Sequence, residues 1–501
     1  MDFPTDLWIE ILSHLPQYDK INSSLVSKQW YDFNHYIYKS KPIEINYYDL
    51  RTENFKKWHS KNKVKLKLFF KNNNDDFTPF LNYLDFISEL EIYNSKFNNE
   101  IVFPEIVYNL VNLKFLKITR YSVPDFSRLS NLTNLTMRHT DTDIQTVPDS
   151  LTSMVNLTYL DLSHNNIEIL PQNMYKLNNL KYLDVSFNLI LEIPFIEKMT
   201  SLSTLNIAHN FIKELPSSIG ELTQLQVLDV CYNALIKIPD EIGNCVKLTS
   251  LNLSYNHPKL QLPYTLQHLV KLNNLSLYNL QMNEFPEFIY KLSNLTDLNL
   301  FANKLERVPD DIHNLVSIKQ LNFTSNLISH LPETIGYLSQ LENLSLYTNS
   351  LTKIPNSIGQ LHNLKVLNLG WNMIEVLPDS ICLLTNLTEL YLVKNNLTRL
   401  PENIGNLNKL VKFICSNNYI KSLPSSITKL SNLTMFDTSY NDLKELPVDI
   451  RYMTQLTTFE FEHNFIEYVD ERVCQLPCIQ TKYKTQNVDT IQKLILLEQK
   501  N

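Results

Sequence analysis

Glycine is scarce in this chain, with only 6 residues among 501. An average chain of this length carries several times as many, since glycine makes up about 7% of residues in proteins. Nucleotide-binding α/β enzymes cradle phosphates in loops that need several glycines close together. The scarcity therefore argues against a nucleotide-binding enzyme.

Paired cysteines and long apolar runs are also lacking. The six cysteines stand apart and do not form the paired framework of secreted, disulfide-stapled repeats; they are Cys231, Cys245, Cys382, Cys415, Cys474 and Cys478. No apolar run reaches the ~18 residues that a membrane-spanning helix needs. Asp2, Asp6 and Glu10 stand where a signal peptide is basic and then apolar. We expect no membrane partner and a cytoplasmic location, with the nucleus as an open alternative.

Charge and motif patterns exclude further classes of function. The formal net charge is −7 and no basic stripe is present, so nucleic acid is not an expected partner. His-Glu-x-x-His, paired Cys-x-x-Cys and nucleophile-elbow motifs are missing. His164 and His209 fall on the same face as Asp161 and Asp184, but a repeated sequence produces such rows automatically. We predict no catalytic residues, no metal and no cofactor.

What the chain has in abundance is one repeated pattern. The stretch "LTYLDLSHNNIEILP", Leu157 to Pro171, contains Leu-x-x-Leu-x-Leu-x-x-Asn, which recurs at intervals of 22 to 24 residues, mostly 23. We call the asparagine of each copy the ladder asparagine. The ladder asparagines are Asn165, Asn188, Asn210, Asn233, Asn256, Asn303, Asn326, Asn349, Asn372, Asn395, Asn418, Asn441 and Asn464.

Each part of the repeat has a physical reading. Leu-x-Leu places two leucines on one face of a short strand, because side chains alternate along strands. The asparagine amide can satisfy buried backbone groups at the bend that follows. A proline stands six residues after most ladder asparagines, and it ends the strand hydrogen bonding because it has no N–H donor. The segment that follows the proline predicts short helical or 3₁₀ turns on the outer side of the array. Glycines ten residues after several asparagines are expected to be structural.

This pattern closely resembles the leucine-rich-repeat family, whose repeats run 20 to 29 residues. The resemblance implies an α/β solenoid, a horseshoe with a parallel concave β-sheet, short helical convex segments and a small N-terminal helical module. We divide the chain into a helical module over 1–40, a linker with capping and degenerate repeats over 41–92, the repeat solenoid over 93–470, and a C-terminal cap with an amphipathic helix over 471–501.

The two ends of the array are less regular, as expected of capping repeats. Strands are predicted at Ile43–Ile45 and Lys65–Leu68, and Val488–Lys500 predicts an amphipathic helix that caps the last repeat or, alternatively, docks a partner. At the middle, the Asn256 repeat has one extra residue and Leu280 takes the next ladder position. Leu280 cannot make the amide's hydrogen bonds, so either Asn279 or water substitutes, or the chain bends there for binding.

Aromatic side chains recur between the leucines, on the predicted concave face. Aromatic residues often dominate protein interfaces because they bury a large area at low entropic cost. Acids and amides dominate a parallel row, which favours a target protein with a partly basic surface. Solvated strands also carry such residues for stability alone, and this alternative stays open. The candidate target-binding residues are Phe187, His209, Tyr232, Tyr255, Tyr278, Phe301, Tyr347, Trp371 and Tyr391.

The N-terminal stretch "FPTDLWIEILSHLPQYDKINSSLVSKQWYDF" differs from everything behind it. It has an apolar stripe at helical spacing, and about 40 residues are too few for a core of their own. Phe3-Pro4, Ile11-Leu12, Asp19 and the segment Leu25–Trp30 resemble an F-box. The resemblance implies adaptor-binding contacts from Phe3, Pro4, Leu7, Ile11, Leu12, Leu15, Leu25, Val26 and Trp30.

These two resemblances together imply a substrate-recognition subunit of an SCF-type cullin-RING ubiquitin ligase. The F-box would bind the adaptor subunit of the cullin complex, the concave face would bind an unknown target protein, and the chain itself would be no enzyme. The alternative is a leucine-rich-repeat signalling scaffold or regulatory subunit, with the N-terminal helices serving only as a cap.

Overall fold

The computed structural model describes residues 43–46, 66–70, 84–93, 102–139, 145–193, 196–483 and 488–499, the first two segments as backbone only. The chain divides into two compact units, Met1–Ala234 and Leu235–Asn501. The nine predicted adaptor-binding residues lie outside the described residues; they are Phe3, Pro4, Leu7, Ile11, Leu12, Leu15, Leu25, Val26 and Trp30.

In the N-terminal unit, one short strand per repeat pairs in parallel with the strand of the next repeat. The leucines stay in register from strand to strand, as in Leu160–Leu183 and Leu183–Leu205. The strands are β1 (Ile43–Asn46), β2 (Leu66–Phe70), β3 (Ile87–Tyr93), β4 (Phe115–Thr119), β5 (Asn134–Arg138), β6 (Tyr159–Asp161), β7 (Tyr182–Asp184), β8 (Thr204–Asn206) and β9 (Val227–Asp229).

The C-terminal unit repeats this arrangement, again with consecutive strands paired in parallel. Its strands are β10 (Ser250–Asn252), β11 (Asn274–Ser276), β12 (Asp297–Asn299), β13 (Gln320–Asn322), β14 (Asn343–Ser345), β15 (Val366–Asn368), β16 (Glu389–Tyr391), β17 (Lys412–Ile414), β18 (Met435–Asp437) and β19 (Thr458–Glu460). The predicted strands near Ile43 and Lys65 are confirmed as β1 and β2.

The outer segments form 3₁₀-helices, most of which start directly after the repeat's proline, as at Pro216. Proline suits this position because its fixed φ is compatible with the extended residue before a helix and its missing N–H is not needed there. The 3₁₀-helices are Leu84–Phe86, Glu105–Asn109, Phe126–Arg128, Asp149–Ser153, Gln172–Lys176, Ile196–Lys198, Ser217–Glu221, Asp240–Asn244, Tyr264–His268, Glu287–Lys291, Asp310–Asn314, Glu333–Tyr337, Asn356–Gln360, Asp379–Leu383, Ile404–Asn406, Ser425–Lys429 and Val448–Tyr452.

The core of each unit lies between the strands and these outer helices. The three leucines of one repeat, Leu157, Leu160 and Leu162, are fully buried, and the same positions are buried in the following repeats. Isoleucines of the outer segments, such as Ile219, close the core from the other side. The predicted α/β solenoid of leucine-rich repeats is therefore confirmed.

The ladder asparagines satisfy buried backbone groups, as the sequence predicted. The Asn188 Nδ2 donates to the carbonyl oxygens of Leu162 at 3.0 Å and Val185 at 2.9 Å. Its Oδ1 accepts the N–H of Ile167 at 3.0 Å. One buried side chain thus ties two adjacent repeats together through groups that would each cost about 1–3 kcal/mol if left unpaired.

The irregular repeat is closed by a local turn and by Asn303. Leu260 donates its N–H to the carbonyl of His257 at 2.9 Å. Pro258 has no N–H to donate. Neither residue therefore needs the side-chain oxygen that an asparagine at position 280 would provide. The N–H groups of Leu280 and Met282 both donate to Asn303 Oδ1 at 3.1 Å. The turn and Asn303 thus satisfy these N–H groups, and Asn279, one of the alternatives that the sequence left open, is not among their partners.

The C-terminal segment forms three helices, α1 (Glu471–Cys474), α2 (Pro477–Tyr483) and α3 (Val488–Glu498). Ile491 and Ile495 of α3 are fully buried. The Gln499 Oε1, just beyond α3, accepts the N–H of Asn464 at 2.8 Å. These contacts place the C-terminal helices against the last repeat. Among the described residues, no helix is long and apolar enough to span a membrane.

Candidate protein-binding face

The residues between the core leucines point away from the core and form what we call the strand face of each unit. In every regular repeat these residues stand six, four and two positions before the ladder asparagine, and a further one stands immediately before it. In the N-terminal unit the register aligns them in columns, for example Tyr159–Tyr182–Thr204–Val227 and Asp161–Asp184–Asn206–Asp229.

The residue immediately before the ladder position adopts a left-handed backbone in repeat after repeat. Phe187, His209, Tyr232, Trp371 and the other members have φ values between 50° and 61°, and no glycine occupies such a position. Left-handed backbone is uncommon for residues with a side chain, although histidine and asparagine tolerate it better than most. The strained turn projects each of these side chains outward at the end of its strand.

Five of these side chains stack into what we call the ring column of the N-terminal unit. Its members are His139, His164, Phe187, His209 and Tyr232. The ring centroids of His139 and His164 lie 5.3 Å apart, and the next three steps measure 4.3, 4.0 and 4.1 Å with nearly parallel planes. Phe187 remains 43% exposed.

Burial in the ring column lowers the pKa of two imidazoles. The pKa of His139 falls because of burial, with further lowering by the nearby His164, Arg120 and Arg138. The pKa of His209 also falls through burial, against the opposing effect of Asp229. His139 and His209 therefore favour their neutral forms near pH 7.

Two tyrosines form a second stack on the opposite side of the same face. The rings of Tyr159 and Tyr182 lie 4.2 Å apart with planes 7° from parallel. Burial, followed by the charge of Asp184, raises the pKa of Tyr182. Between the tyrosines and the ring column runs a polar column that contains Asp161 and Asp184.

The carboxylates of this polar column have a structural role that the sequence analysis did not foresee. The Asp161 Oδ1 accepts the Ser163 N–H at 3.0 Å and its hydroxyl at 2.7 Å, while Oδ2 pairs with Arg138 at 2.5 Å. The Asp184 Oδ1 makes the same bonds to Ser186. Asparagines cap the backbone in the same way elsewhere, as Asn206 does for Ala208. The row of acids and amides is thus explained first by local capping.

The predicted aromatic residues of the C-terminal unit form looser groups. Tyr255 and Tyr278 meet edge to face at 5.1 Å, and Phe301 follows at 6.2 Å. The Tyr391 hydroxyl donates to Glu389 at 2.5 Å, and burial, then this carboxylate, raises the pKa of Tyr391 to about 12.

Tyr347 and Trp371 lie farther along the C-terminal unit, with their rings 6.4 Å apart. The Lys394 ammonium sits 3.6 Å from the Trp371 ring centroid. Trp371 is nevertheless 44% exposed, which leaves much of the indole in contact with solvent.

Sequence reasoning overlooked His139 and assigned His164 no binding role. Both belong to the ring column, although His139 comes from a degenerate repeat whose ladder position is Thr140. The signal was present in the sequence, because both histidines immediately precede a ladder position, as Phe187, His209 and Tyr232 do.

All six cysteines lie among the described residues, and all are buried without a disulfide. Burial raises the pKa of Cys245, Cys382 and Cys474 to about 11. These thiols are therefore protonated at neutral pH and poorly suited to nucleophilic chemistry. Within the described segments, no group of three or more metal-ligating side chains converges.

Family models match both parts of the chain. An F-box domain model matches residues 1–33. A leucine-rich repeat region model matches 205–310, 303–395 and 330–413, and further leucine-rich repeat models match 130–190 and 178–220. No curated protein sequence matches the chain. F-box domains and leucine-rich repeats are both interaction modules, so the chain has a protein-interaction role.

Solved structures show the same fold. A leucine-rich-repeat protein from Leptospira interrogans is 28% identical with a TM-score of 0.69, over 82% of this chain and 97% of that one. A TDR receptor is 25% identical with a TM-score of 0.59, over 76% of this chain and 74% of that one. The ectodomain of the Arabidopsis receptor kinase HAESA, solved with a peptide hormone, is 23% identical with a TM-score of 0.58, over 76% of this chain and 71% of that one.

The last of these similarities concerns the fold alone. The repeat array and the N-terminal match carry the assignment, because each is recognised independently of the other. The chain belongs to the F-box/leucine-rich-repeat proteins.

Proposed function

We propose that this chain is the substrate-recognition subunit of an SCF-type cullin-RING ubiquitin ligase. Its F-box would bind the adaptor subunit of the cullin complex, and its strand face would hold a target protein. The observation that carries the proposal is the F-box match over residues 1–33 in front of a long repeat array. The chain acts in the cytoplasm or nucleus in this proposal, where such ligases work.

The chemistry in this proposal belongs to other subunits. Holding the target beside a loaded conjugating enzyme raises its effective concentration, which accelerates transfer without a catalytic residue in the receptor. The buried, protonated cysteines agree with this division of labour.

The proposed target contacts are the aromatic residues of the strand face. Phe187, Tyr232 and Trp371 combine large apolar area with substantial exposure, and rings held by stacking lose little entropy on binding. Smaller contributions are proposed for the half-buried rings His209, Tyr255, Tyr278, Phe301, Tyr347 and Tyr391.

The adaptor contact is tested by co-expression of the full chain with the adaptor subunit. We expect the two to co-elute in gel filtration, and Leu12→Asp combined with Val26→Asp to abolish co-elution by placing charges in an apolar contact. Trp371→Ala is the matched control and should leave adaptor binding unchanged. A wild-type chain that does not co-elute with the adaptor would favour the signalling-scaffold alternative.

Target delivery is tested in cells by proximity labelling with the wild-type chain and with the Leu12→Asp, Val26→Asp double variant. A true target should be labelled by both chains. It should accumulate on proteasome inhibition when the wild-type chain is present, but be unaffected by inhibition with the double variant. Equal behaviour with both chains would argue against degradation.

A further inference from the structure

The strand face of the C-terminal unit loses its polar residues at two neighbouring strands. From β10 to β19, the position four residues before the ladder position holds an acid, an amide or a serine, except at Tyr391 on β16 and Ile414 on β17. In several repeats this polar side chain accepts the backbone N–H two residues further on, as Asn368 does for Gly370 at 3.1 Å. Isoleucine has no acceptor for such a bond, and the Tyr391 hydroxyl donates to Glu389 instead.

These two strands therefore present apolar surface in place of a local hydrogen bond. Tyr391 and Ile414 lie directly opposite each other in the register, on strands about 4.8 Å apart. Both side chains are half-buried, so each keeps part of its surface in contact with solvent. The bond that is given up would contribute about 0.5–1.5 kcal/mol. Natural sequences depart from such local rules mainly at functional sites.

Gly370 extends this apolar surface to the preceding strands. A Cβ on Gly370 would meet the side chain of Val393 at 2.8 Å and the ring of Tyr347 at 3.0 Å, so these two side chains close over the glycine from either side. The ring of Trp371 lies 6.4 Å from that of Tyr347 and is 44% exposed. We call this surface the apolar patch; its members are Tyr347, Trp371, Tyr391, Val393 and Ile414.

Lys394 places a positive charge at the edge of the apolar patch. Its ammonium lies 3.6 Å from the Trp371 ring centroid, and a cation–π interaction of this kind holds the charge in position. Among the described residues, no carboxylate lies within ion-pair distance of Lys394, whereas the neighbouring Lys412 pairs with Glu389 at 3.5 Å. Because an ammonium has three donors, Lys394 can contact a carboxylate while it stays on the ring.

We propose that the apolar patch binds a segment of the target protein that carries an apolar side chain next to an acidic one. This proposal rests on the proposed function and specifies one contact of the target. The apolar side chain packs on Tyr391 and Ile414 and supplies most of the affinity. The carboxylate pairs with Lys394 and orients the segment. The sequence favoured a partly basic target, but acids of that row cap the backbone, as Asp437 does for Ser439.

The test selects displayed random peptides on the immobilised full-length chain. We expect the bound sequences to combine an apolar residue with an acidic one a few residues away. The chain has a net charge of −7, so non-specific attraction would enrich basic peptides and cannot imitate this result. A synthetic peptide with the most enriched sequence then serves as the probe in calorimetry.

Tyr391→Asn combined with Ile414→Asn separates binding from folding. Asparagine can restore the cap that Asn368 makes on the adjacent strand, so the chain should stay folded, which its unfolding temperature checks. Affinity for the synthetic peptide should fall at least about tenfold. Val227→Asn is the matched control, because it places the same residue at a half-buried apolar position on the strand face of the N-terminal unit. It should bind the peptide as the wild type does.

Lys394→Met tests the charge separately. The variant keeps an unbranched side chain beside Trp371 and removes the ammonium. Peptides selected on it should still contain the apolar residue but should lose the acidic one. Affinity for the synthetic peptide should fall by up to about fivefold, as expected for the loss of a partly exposed ion pair.

Four results would overturn the proposal. They are no joint enrichment of apolar and acidic residues on the wild-type chain, wild-type affinity in the Tyr391, Ile414 double variant, equal loss in Val227→Asn, and an acidic preference that survives in Lys394→Met. A concentration-dependent dimer in gel filtration that the double variant abolishes would make a second copy of the chain the occupant, and would equally contradict it.

The Leu12→Asp, Val26→Asp variant separates this inference from the proposed ligase role. It should lose the adaptor and retain wild-type affinity for the synthetic peptide. Failure of one proposal is therefore visible independently of the other.

Discussion

The imidazole of His209 stacks on the ring of Phe187, with centroids 4.0 Å apart and planes 12° from parallel. Tyr232 covers the other face of His209 at 4.1 Å. Both His209 and Phe187 have positive φ values, 53° and 55°. Left-handed backbone is uncommon for residues that carry a side chain. Stacking on both faces of His209 holds the ring in place despite this unfavourable backbone conformation. The ring column is thus a cooperative feature of several repeats.

The ring column is expected to make the N-terminal unit sensitive to acid. Because burial lowers the pKa of His139 and His209 in the folded chain, the unfolded chain takes up protons first as the pH falls below about 6.5. Stability should be full above that pH and decline below it. NMR titration should give midpoints below about 6.5 for both imidazoles.

A variant isolates this effect. His139→Gln combined with His209→Gln removes both titrating groups, so the acid-induced decrease in the unfolding temperature between neutral and mildly acidic pH should become smaller. Midpoints at or above the ordinary histidine value, or an unchanged acid response in the double variant, would show that these imidazoles do not cause it.

Ladder asparagines are expected to stabilise far more than exposed ones. Asn326 donates to Leu300 and Phe323 and accepts from Leu305, and it is buried. Asn326→Ala leaves the buried Leu305 N–H unpaired and removes one of the two amide donors from each carbonyl, which still accept from Asn303 and Asn349. The free energy of unfolding should therefore fall by about 1–3 kcal/mol. The control is Asn363→Ala, which removes one exposed bond to Ser339 and should cost less than about 1 kcal/mol. Similar urea midpoints for both variants would refute this difference.

The repeat architecture was predictable from sequence because the same two constraints recur in every repeat. Leucines must fill the core and Asn188 and its equivalents must satisfy buried backbone, so both leave a periodic signal. The compensation at Leu280 was not predictable, because it depends on a turn at His257 and on an amide in the following repeat, Asn303.

The candidate site was predictable only in part. The positions of Phe187, His209 and Tyr232 follow from the repeat, but their stacking depends on side-chain orientations that no single-repeat pattern contains. The capping role of Asp184 was also hidden, because a carboxylate on a strand reads equally as a ligand contact or as a backbone acceptor.

Two glycines offer a direct test of close packing between neighbouring repeats. A Cβ on Gly405 would lie 2.0 Å from the Ser426 carbonyl oxygen, whereas one on Gly370 would meet the side chains of Val393 and Tyr347 at 2.8 and 3.0 Å. Backbone cannot yield as side chains do, so Gly405→Ala should cost at least about 2 kcal/mol and Gly370→Ala less. Urea unfolding of both variants measures the difference, and equal costs would show that the backbone at Ser426 relaxes freely.

The C-terminal helices are expected to depend on one lysine. Lys482 on α2 contacts the carboxylates of Glu460 at 2.5 Å and of Glu462 on the last repeat, and lies 3.9 Å from Glu498 on α3. Lys482→Met leaves these half-buried acids without their shared cation, and acids left unpaired repel one another. Hydrogen exchange of α3 should therefore accelerate severalfold, and the free energy of unfolding should fall by about 1–3 kcal/mol.

Lys365→Met is the control for this prediction. Lys365 contacts Glu342 at 2.6 Å, but it is 56% exposed and pairs with a single carboxylate. Exposed ion pairs contribute about 1 kcal/mol or less, so this variant should change stability little and leave exchange in α3 at the wild-type rate. If Lys482→Met behaved like Lys365→Met, apolar contacts such as those of Ile491 and Ile495 would suffice to hold α3 against the last repeat, and the lysine would serve only to neutralise charge.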